Sequence, residues 1–537
     1  MSDTTSLGRA SALMASGTLV SRVLGLLRAT MLVGAIGGTG LAADAFSVAN
    51  TLPNQINLLV AGGMIGAVLV PQIVKASTHE DGGEDYVNRL LTLAMLLMGA
   101  TTVLALAGAP WLVRAFLNAD PQTTALAITF AYLCLPQIFF YGLYTLLGNV
   151  LNARGRFTAF MWAPVLANLI SIAGLAAFWL LDLPRKVSPQ GWDRGMVWLL
   201  GGTMTLSIVI QGLFLIVPLR RSGFHYRPRF GFRGVGLRSA GSVALWSFAA
   251  VAISQLGFIV TSQVLTRASE LAKRADITAA GKASYDNAFL LFMLPHSLIT
   301  VSLTTALFVR LANAARRGDT REVVADLGHG LRAPAPLTVP IAIAGIFFAP
   351  YAVKTLLFTS PTETTAIAGV LAAMLLGLLP FGWLYLVNRV YYAYEDARTP
   401  FFFQVVVTII ATIFNLIAYA APVTSTGIWV GVGQTVSNLV GAILGFALLH
   451  RRIGRLGLAS TIRQHVRLVL ASAAALGVVA AAHLAVPESF RATWPGAALT
   501  LATLGPIYLA LAWAIAHRMR VREIATLLGP VLRRVRR

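Results

Sequence analysis

The chain has 537 residues, of which 57% are hydrophobic and only 12% charged, with a formal net charge of +22. A soluble domain would carry about a quarter charged residues, so no water-facing surface can be built here without large apolar patches, and lipid must cover them. With Cys134 the single cysteine, no internal disulfide framework can form, and the residue is expected to be a small buried hydrophobe; the histidines lack metal-ligand spacing and no phosphate-binding glycine loop occurs, so no metal, cofactor or ATP hydrolysis is expected.

A hydrocarbon core about 30 Å thick needs roughly 20 apolar residues per helix, which gives about fourteen spans. In chain order they cover approximately 10–36, 42–76, 87–117, 122–152, 157–181, 195–219, 239–267, 279–312, 322–357, 363–394, 399–421, 426–449, 464–486 and 494–517. The first is too long and too interrupted by arginine for a cleavable signal. Pro53 in the second span and Pro334, Pro336 and Pro340 in the ninth open the backbone ladder. Membrane helices tolerate this where a cavity or a neighbour satisfies the freed groups.

Charge asymmetry sets the orientation. The loop after the sixth span carries Arg220, Arg221, Arg227, Arg229, Arg233 and Arg238 and no acid. Arg451, Arg452, Arg455, Arg463 and Arg467 follow the twelfth span, and Arg518 to Arg537 is again basic. All three follow even-numbered spans, which predicts that both termini are cytoplasmic. Topology and anionic lipid explain the positive charge without nucleic acid. The tail 521–537 has the pattern of a basic amphipathic segment lying on lipid.

Self-comparison reveals a repeat. Asp44 with Leu52-Pro53 matches Asp286 with Leu294-Pro295, displaced by 242 residues. Leu135-Pro136, Tyr141, Ala153-Arg154 and Phe157 match Leu379-Pro380, Tyr385, Ala397-Arg398 and Phe401, displaced by 244. An even number of spans separates the copies, so the expected fold is an all-α polytopic protein with two parallel six-helix lobes. The lobes are expected at 1–235 and 236–455, with spans thirteen and fourteen appended at 456–520.

Arg22 and Arg28 lie inside the first span. A charge at mid-bilayer costs roughly 2.5–3.5 kcal/mol, so such a residue normally faces a wet cavity or an anion. The pair is separated by about 9 Å along an ideal helix and about 120° around it, with Gly25 between them permitting a bend. Two planar donor forks at that separation suit a pyrophosphate; pairing with an acid, or snorkelling, is the structural alternative. Asp44 and its mate Asp286 suit a cavity arginine, a coupling cation or a helix N-terminus equally. Arg389, beside Asn388, suits either the wall of the second lobe or the interface beyond Tyr391. Arg154, Arg156, Asp396 and Arg398 mark the ends of equivalent helices and read as gate or turn residues. Asn168 suits hydrogen bonding to substrate or to a neighbouring helix. Gly62, Gly63 and Gly66 read as close-packing positions.

These residues resemble a known family. Ser21-Arg22-Val23-Leu24-Gly25 with Arg28, Ala43-Asp44-Ala45-Phe46, Leu52-Pro53-Asn54 and Val70-Pro71 are similar to the opening of the MurJ (MviN) lipid II flippases, as are Leu151-Asn152-Ala153-Arg154 with Phe157, Ala163-Pro164 and Asp396 with Arg398-Thr399-Pro400. The resemblance runs from about residue 8 to about 450 and places the chain in the multidrug/oligosaccharidyl-lipid/polysaccharide exporter superfamily. The Ala- and Arg-rich character is most similar to actinobacterial members, here without a pseudokinase extension. The family implies fourteen helices, two lobes around a V-shaped cavity and a lipid-facing groove on the last two.

The sequence departs from the family at Ala29, where an acid is frequent, at Asn57 and Gly62 in place of an arginine and an acid, and at Leu290 and Met293 in place of an arginine and a glutamate. That leaves the anion clamp to Arg22 and Arg28, helped by Arg389. Candidate substrate-binding residues are therefore Arg22, Arg28, Asp44, Asn57, Asn168 and Arg389; candidate gate or turn residues are Gly25, Pro53, Arg154, Asp286, Asp396 and Arg398. The implied activity is alternating-access flipping of lipid II in the cytoplasmic membrane, without enzyme chemistry. A coupling cation, membrane potential and partners among cell-wall synthesis proteins stay open. The rivals are a flippase for another polyprenyl-linked saccharide, a non-transporting cell-wall scaffold and, less suited to arginines, a drug/cation antiporter.

Overall fold

The computed structural model describes residues 2–60, 84–230 and 241–524, with side chains from 16, 84 and 245 onward in the three stretches. The expectations for Gly62, Gly63, Gly66, Val70-Pro71, the remainder of the second span, Arg233, Arg238, the lobe boundary at 235 and most of the basic tail fall outside them. The described residues are helical without strands. Among the described residues, twelve helices are long and apolar enough to cross a bilayer, or thirteen if a pair bent by 48° counts as one. A further helix of 20 residues occupies the second expected span. The chain divides into two compact units, Met1–Glu270 and Leu271–Arg537.

The first unit contains α1 (Ser2–Ile36), α2 (Leu41–Val60), α3 (Glu84–Ala107), α4 (Ala109–Phe116), α5 (Pro121–Cys134), α6 (Gln137–Ala153), α7 (Phe157–Leu180) and α8 (Arg194–Arg221), and most of α9 (Gly241–Arg274). Asp120 starts α5 by accepting from the backbone N–H of Gln122 (2.9 Å) and Thr123 (3.0 Å), with Pro121 at the first helical position, where its missing N–H costs nothing. The expected fourth span breaks at Leu135-Pro136, because Pro136 cannot donate to the preceding turn. Leu90, Leu91 and Met98 of α3 pack with Leu146, Leu147 and Leu151 of α6 and with Leu215 and Leu219 of α8.

The seventh expected span, 239–267, continues to Arg274, where Glu270 Oε2 accepts from Asp120 N at 3.3 Å, and the helix packs on the end of α4. A helix ends with carbonyls that lack internal partners. At the end of α4 they are capped by α9: Ser262 Oγ donates to Phe116 O (2.6 Å) and Gln263 Nε2 to the carbonyls of Arg114 and Ala115 (both 2.8 Å). In return, Asn118 N donates to Thr266 Oγ1 at 2.8 Å. The first unit thus takes in most of the helix expected to open the second lobe.

The second unit contains α10 (Lys282–Arg316), α11 (Thr320–Arg332), α12 (Ala335–Leu357), α13 (Pro361–Leu376), α14 (Leu378–Ala393), α15 (Arg398–Ala420), α16 (Thr426–Ile453), α17 (Ala459–His483) and α18 (Trp494–Arg518). Within α10, Pro295 is followed by a π-helical stretch, His296–Val301, one of the ways a helix absorbs a missing donor. Ser360 and Glu363 form a capping box on α13, again with proline at the first position.

The internal repeat is present in the elements, in a different register from the sequence matches. Pro121 and Pro361 open equivalent helices 240 residues apart; Leu41 and Lys282, and Phe157 and Arg398, are 241 apart. The matches displaced by 244, including Tyr141 with Tyr385 and Arg154 with Arg398, are therefore about one helical turn out of structural register.

Glycines on one face of α16 admit the bent pair α13 and α14. A Cβ on Gly431 would lie 2.9 Å from Ala373 Cβ and 3.1 Å from Val370 O of α13, and one on Gly445 would lie 2.8 Å from Val387 Cγ1 of α14. Close backbone approach of this kind replaces the hydrophobic drive that lipid removes. The last two spans dock on α12 through its prolines. Pro340 has no N–H to give Pro336 O, and Trp513 Nε1 of α18 donates there instead, at 2.8 Å. Tyr508 Oη donates to Pro340 O at 2.9 Å. The four described residues of the tail return to the bundle, with Val521 and Ile524 buried beside Leu468 and Ala471.

Candidate functional site

Arg22 and Arg28 are both half-buried on α1. At about 100° per residue, the exposed face marked by Leu19, Val20, Val23 and Leu27 is centred more than about 110° from either arginine. Gly25 sits midway between them, facing α7: a Cβ there would meet Asn168 Nδ2 at 3.7 Å. Among the described residues neither guanidinium has a carboxylate partner. Arg28 lies near the neutral Tyr141 hydroxyl of α6. Two arginines thus leave the exposed apolar face on either side of the α1–α7 seam, charged and unneutralised by acids.

Asn168 belongs to that seam. Its Nδ2 donates to Ser21 O (2.9 Å) and reaches Ser21 Oγ (3.3 Å), which is the neighbouring-helix alternative of the sequence reading. It holds the arginine-bearing helix in place. On α2, Asp44 is fully buried near the helix start and Pro53 is buried inside the helix. Asn57 is also buried, and its Oδ1 has no hydrogen-bond partner among the described residues. Close by in sequence, Gln55 accepts from Gln255 Nε2 of α9 at 3.1 Å.

In the second unit, Arg389 donates to Tyr385 Oη at 2.8 Å and lies 5.5 Å from the ring centre of Phe308. The other face of that cluster is His296, fully buried in the π-helical stretch, its ring 4.5 Å from Phe381 and 5.7 Å from Tyr385. His296 Nδ1 has no partner among the described residues. The sequence reading passed over His296, although its place directly after Pro295, in a span, was a signal. It also passed over Lys282, which is 1% exposed and pairs with Asp286 one turn later at 2.5 Å. Asp286 therefore meets a lysine of its own helix, and the signal was the lysine–acid spacing of four residues.

Arg154, Asp396 and Arg398 among the gate and turn candidates lie at helix ends, whereas Gly25 and Pro53 lie inside helices. Arg154 donates to Ser222 O (3.2 Å), pairs with Glu84 (3.3 Å) and stacks on Phe224, joining the starts and ends of α3, α6 and α8. Asp396 caps α15 by accepting from Thr399 N (3.0 Å) and Oγ1 (2.8 Å), and pairs with Arg452 at 2.5 Å. Burial alone would raise the Asp396 carboxyl, but the Thr399 donors and the Arg452 guanidinium outweigh it and hold the group below the usual carboxylate range. Arg398 lies over the Phe402 ring at 5.8 Å.

Comparison with known proteins covers nearly the whole chain. The family described as lipid II flippase MurJ matches residues 33–504. A lipid II flippase MurJ from Burkholderia cenocepacia is 29% identical over 438 residues, spanning 79% of this chain and 80% of that protein. A solved lipid II flippase MurJ in an inward closed conformation superposes with a TM-score of 0.72 at 17% identity, covering 95% of this chain and all of that one. An inward-facing multidrug resistance MATE family transporter of the MOP superfamily gives a TM-score of 0.58 at 17% identity over 84% of this chain and 99% of its own.

Proposed function

The chain belongs to the lipid II flippase MurJ family, and on that premise we propose that it carries lipid II from the inner to the outer leaflet of the cytoplasmic membrane by alternating access. The family is one of transporters, and the chain is a multi-span membrane protein. The observation that carries the reading to particular residues is the pair Arg22 and Arg28, sunk in a membrane helix without carboxylate partners among the described residues. A guanidinium replaces water around a diphosphate with a fork of donors, and does so more strongly where water is excluded. No bond is made or broken.

Asn168 positions the arginine helix, and Asn57 offers an unpaired acceptor to a sugar or peptide group. Arg389 and His296 supply a polar, aromatic patch in the second unit. The arginine-rich loops support a cytoplasmic position for both termini. The exposed apolar residues Ile462, Val466 and Leu470 of α17 suit the lipid-facing role of the last two spans. Membrane potential can bias the cycle, since one charge crossing 100 mV is worth about 2.3 kcal/mol, and a coupling cation or cell-wall synthesis partners fit the same scheme.

The test is complementation of a strain depleted of its lipid II flippase. The unmutated chain restores growth, whereas Arg22→Ala with Arg28→Ala, present in the membrane at equal level, does not. Growth supported by the double variant would remove the arginines from the mechanism. Failure of the unmutated chain, correctly inserted, would turn the substrate toward another polyprenyl-linked saccharide.

A further inference from the structure

A second basic site lies at the other end of the sequence. Arg332 at the end of α11, Arg463 and Arg467 in the first turns of α17, and Arg520 and Arg522 beyond α18 line a cavity of about 860 Å³. Glu523 is its one carboxylate and is paired to Arg332 at 3.3 Å. Arg463 and Arg520 have no ion pair among the described residues. The guanidiniums of Arg463, Arg467 and Arg520, around one neutralised acid, would repel one another in an empty pocket, and an anion relieves that repulsion. The N-terminus of α17 adds its unsatisfied backbone donors on the same side.

Gln464 gives an independent indication of what the anion carries. It is 5% exposed in the wall of this cavity. Its Nε2 donates to Arg332 O at 3.1 Å, while its Oε1 has no hydrogen-bond partner among the described residues. A buried carbonyl oxygen without a partner calls for a donor, which a hydroxyl on the ligand supplies. On the adjoining face of α17, Ile462, Val466 and Leu470 are 60%, 51% and 55% exposed at a spacing of four, an apolar stripe that starts at the level of the pocket and runs along the span.

We infer that this pocket seats the head of an anionic glycerophospholipid bearing free hydroxyls: phosphate among the arginines, a head hydroxyl on Gln464 Oε1, and an acyl chain along the α17 stripe. Phosphatidylglycerol has this chemistry. The occupant is a resident lipid, because the apolar stripe is useless to a soluble phosphate.

Native mass spectrometry of the full chain in detergent, titrated with dioleoyl phosphatidylglycerol, phosphatidic acid or phosphatidylcholine, tests this. Phosphatidylglycerol binds most tightly and phosphatidylcholine least. Arg463→Gln with Arg520→Gln weakens phosphatidylglycerol by about fivefold per guanidinium without changing the thermal midpoint, since both side chains are exposed. Gln464→Met removes the preference for phosphatidylglycerol over phosphatidic acid while phosphatidic acid still binds. Equal binding of phosphatidylcholine, or no effect of the double arginine variant, overturns the proposal. Displacement of phosphatidylglycerol by equimolar inorganic phosphate reassigns the pocket to a soluble anion, and displacement by equimolar undecaprenyl diphosphate reassigns it to the transported substrate; either result also overturns it.

Discussion

Replacing Trp513 with phenylalanine should loosen the last two spans from α12 by an amount that depends on a residue Trp513 does not belong to. Pro340 deprives Pro336 O of its helical donor, and Trp513 Nε1 supplies the substitute at 2.8 Å. Trp513→Phe keeps an aromatic ring but leaves that carbonyl unsatisfied, at a cost of about 1–3 kcal/mol. In a Pro340→Ala background, the new N–H of residue 340 satisfies Pro336 O from within the helix. The same Trp513→Phe change should then cost only the lost ring contacts, so a coupling of about 1–2 kcal/mol should separate the two backgrounds. Unfolding in mixed micelles with increasing SDS, read by pulse proteolysis, measures all four proteins. Additive effects, within about 0.5 kcal/mol, would refute the idea that α18 docks by replacing the donor proline removed.

Gly431→Val should destabilise the second unit by about 1–3 kcal/mol, because its Cβ would press on Val370 O, a backbone atom that cannot swing away; Gly477→Ala, with open space around it, is the neutral control in the same unfolding assay. Asp396→Asn should cost about 0.2–1 kcal/mol at neutral pH through the lost Arg452 ion pair, since asparagine still accepts at the α15 cap. The Asp396 carboxyl is held below its ordinary value, so its stabilisation is present above about pH 4 and lost as pH falls through the lowered value. The difference between wild type and Asp396→Asn should therefore shrink only below about pH 4, and a gap unchanged down to pH 2 would contradict the assignment.

The spans were legible because apolar runs of about 20 residues have no other stable use. The break at Pro334 was legible because proline removes a donor, whereas the one at Leu135-Pro136 was not read, and Pro53 and Pro340 sit inside continuous helices. The repeat was legible in kind but slipped by about a turn in its second part. Leu-Pro and Tyr recur cheaply in apolar helices, whereas Asp120-Pro121 and Ser360-Pro361, which start the equivalent helices, are fixed by capping chemistry and carry the true register. The extension of α9 to Arg274 was hidden because a partner there, Asp120 N on Glu270 Oε2, is brought in from 150 residues away. Among site residues, Arg22 and Arg28 stood out as charges with no acid in their span. Partners brought together by the fold, such as Tyr141 beside Arg28 or Ser21 beneath Asn168, have no local signature. Lys282 and His296 had one and were masked by their neighbours Asp286 and Pro295.

The most direct measurement is the affinity of the purified protein for lipid II beside its undecaprenol counterpart lacking the diphosphate. Each guanidinium–phosphate contact is worth about 1.5–3 kcal/mol, so Arg22→Ala or Arg28→Ala should weaken lipid II by about 10- to 150-fold and leave undecaprenol unchanged. Equal losses for both lipids, or none for either, would contradict a diphosphate held by the two arginines of the first helix.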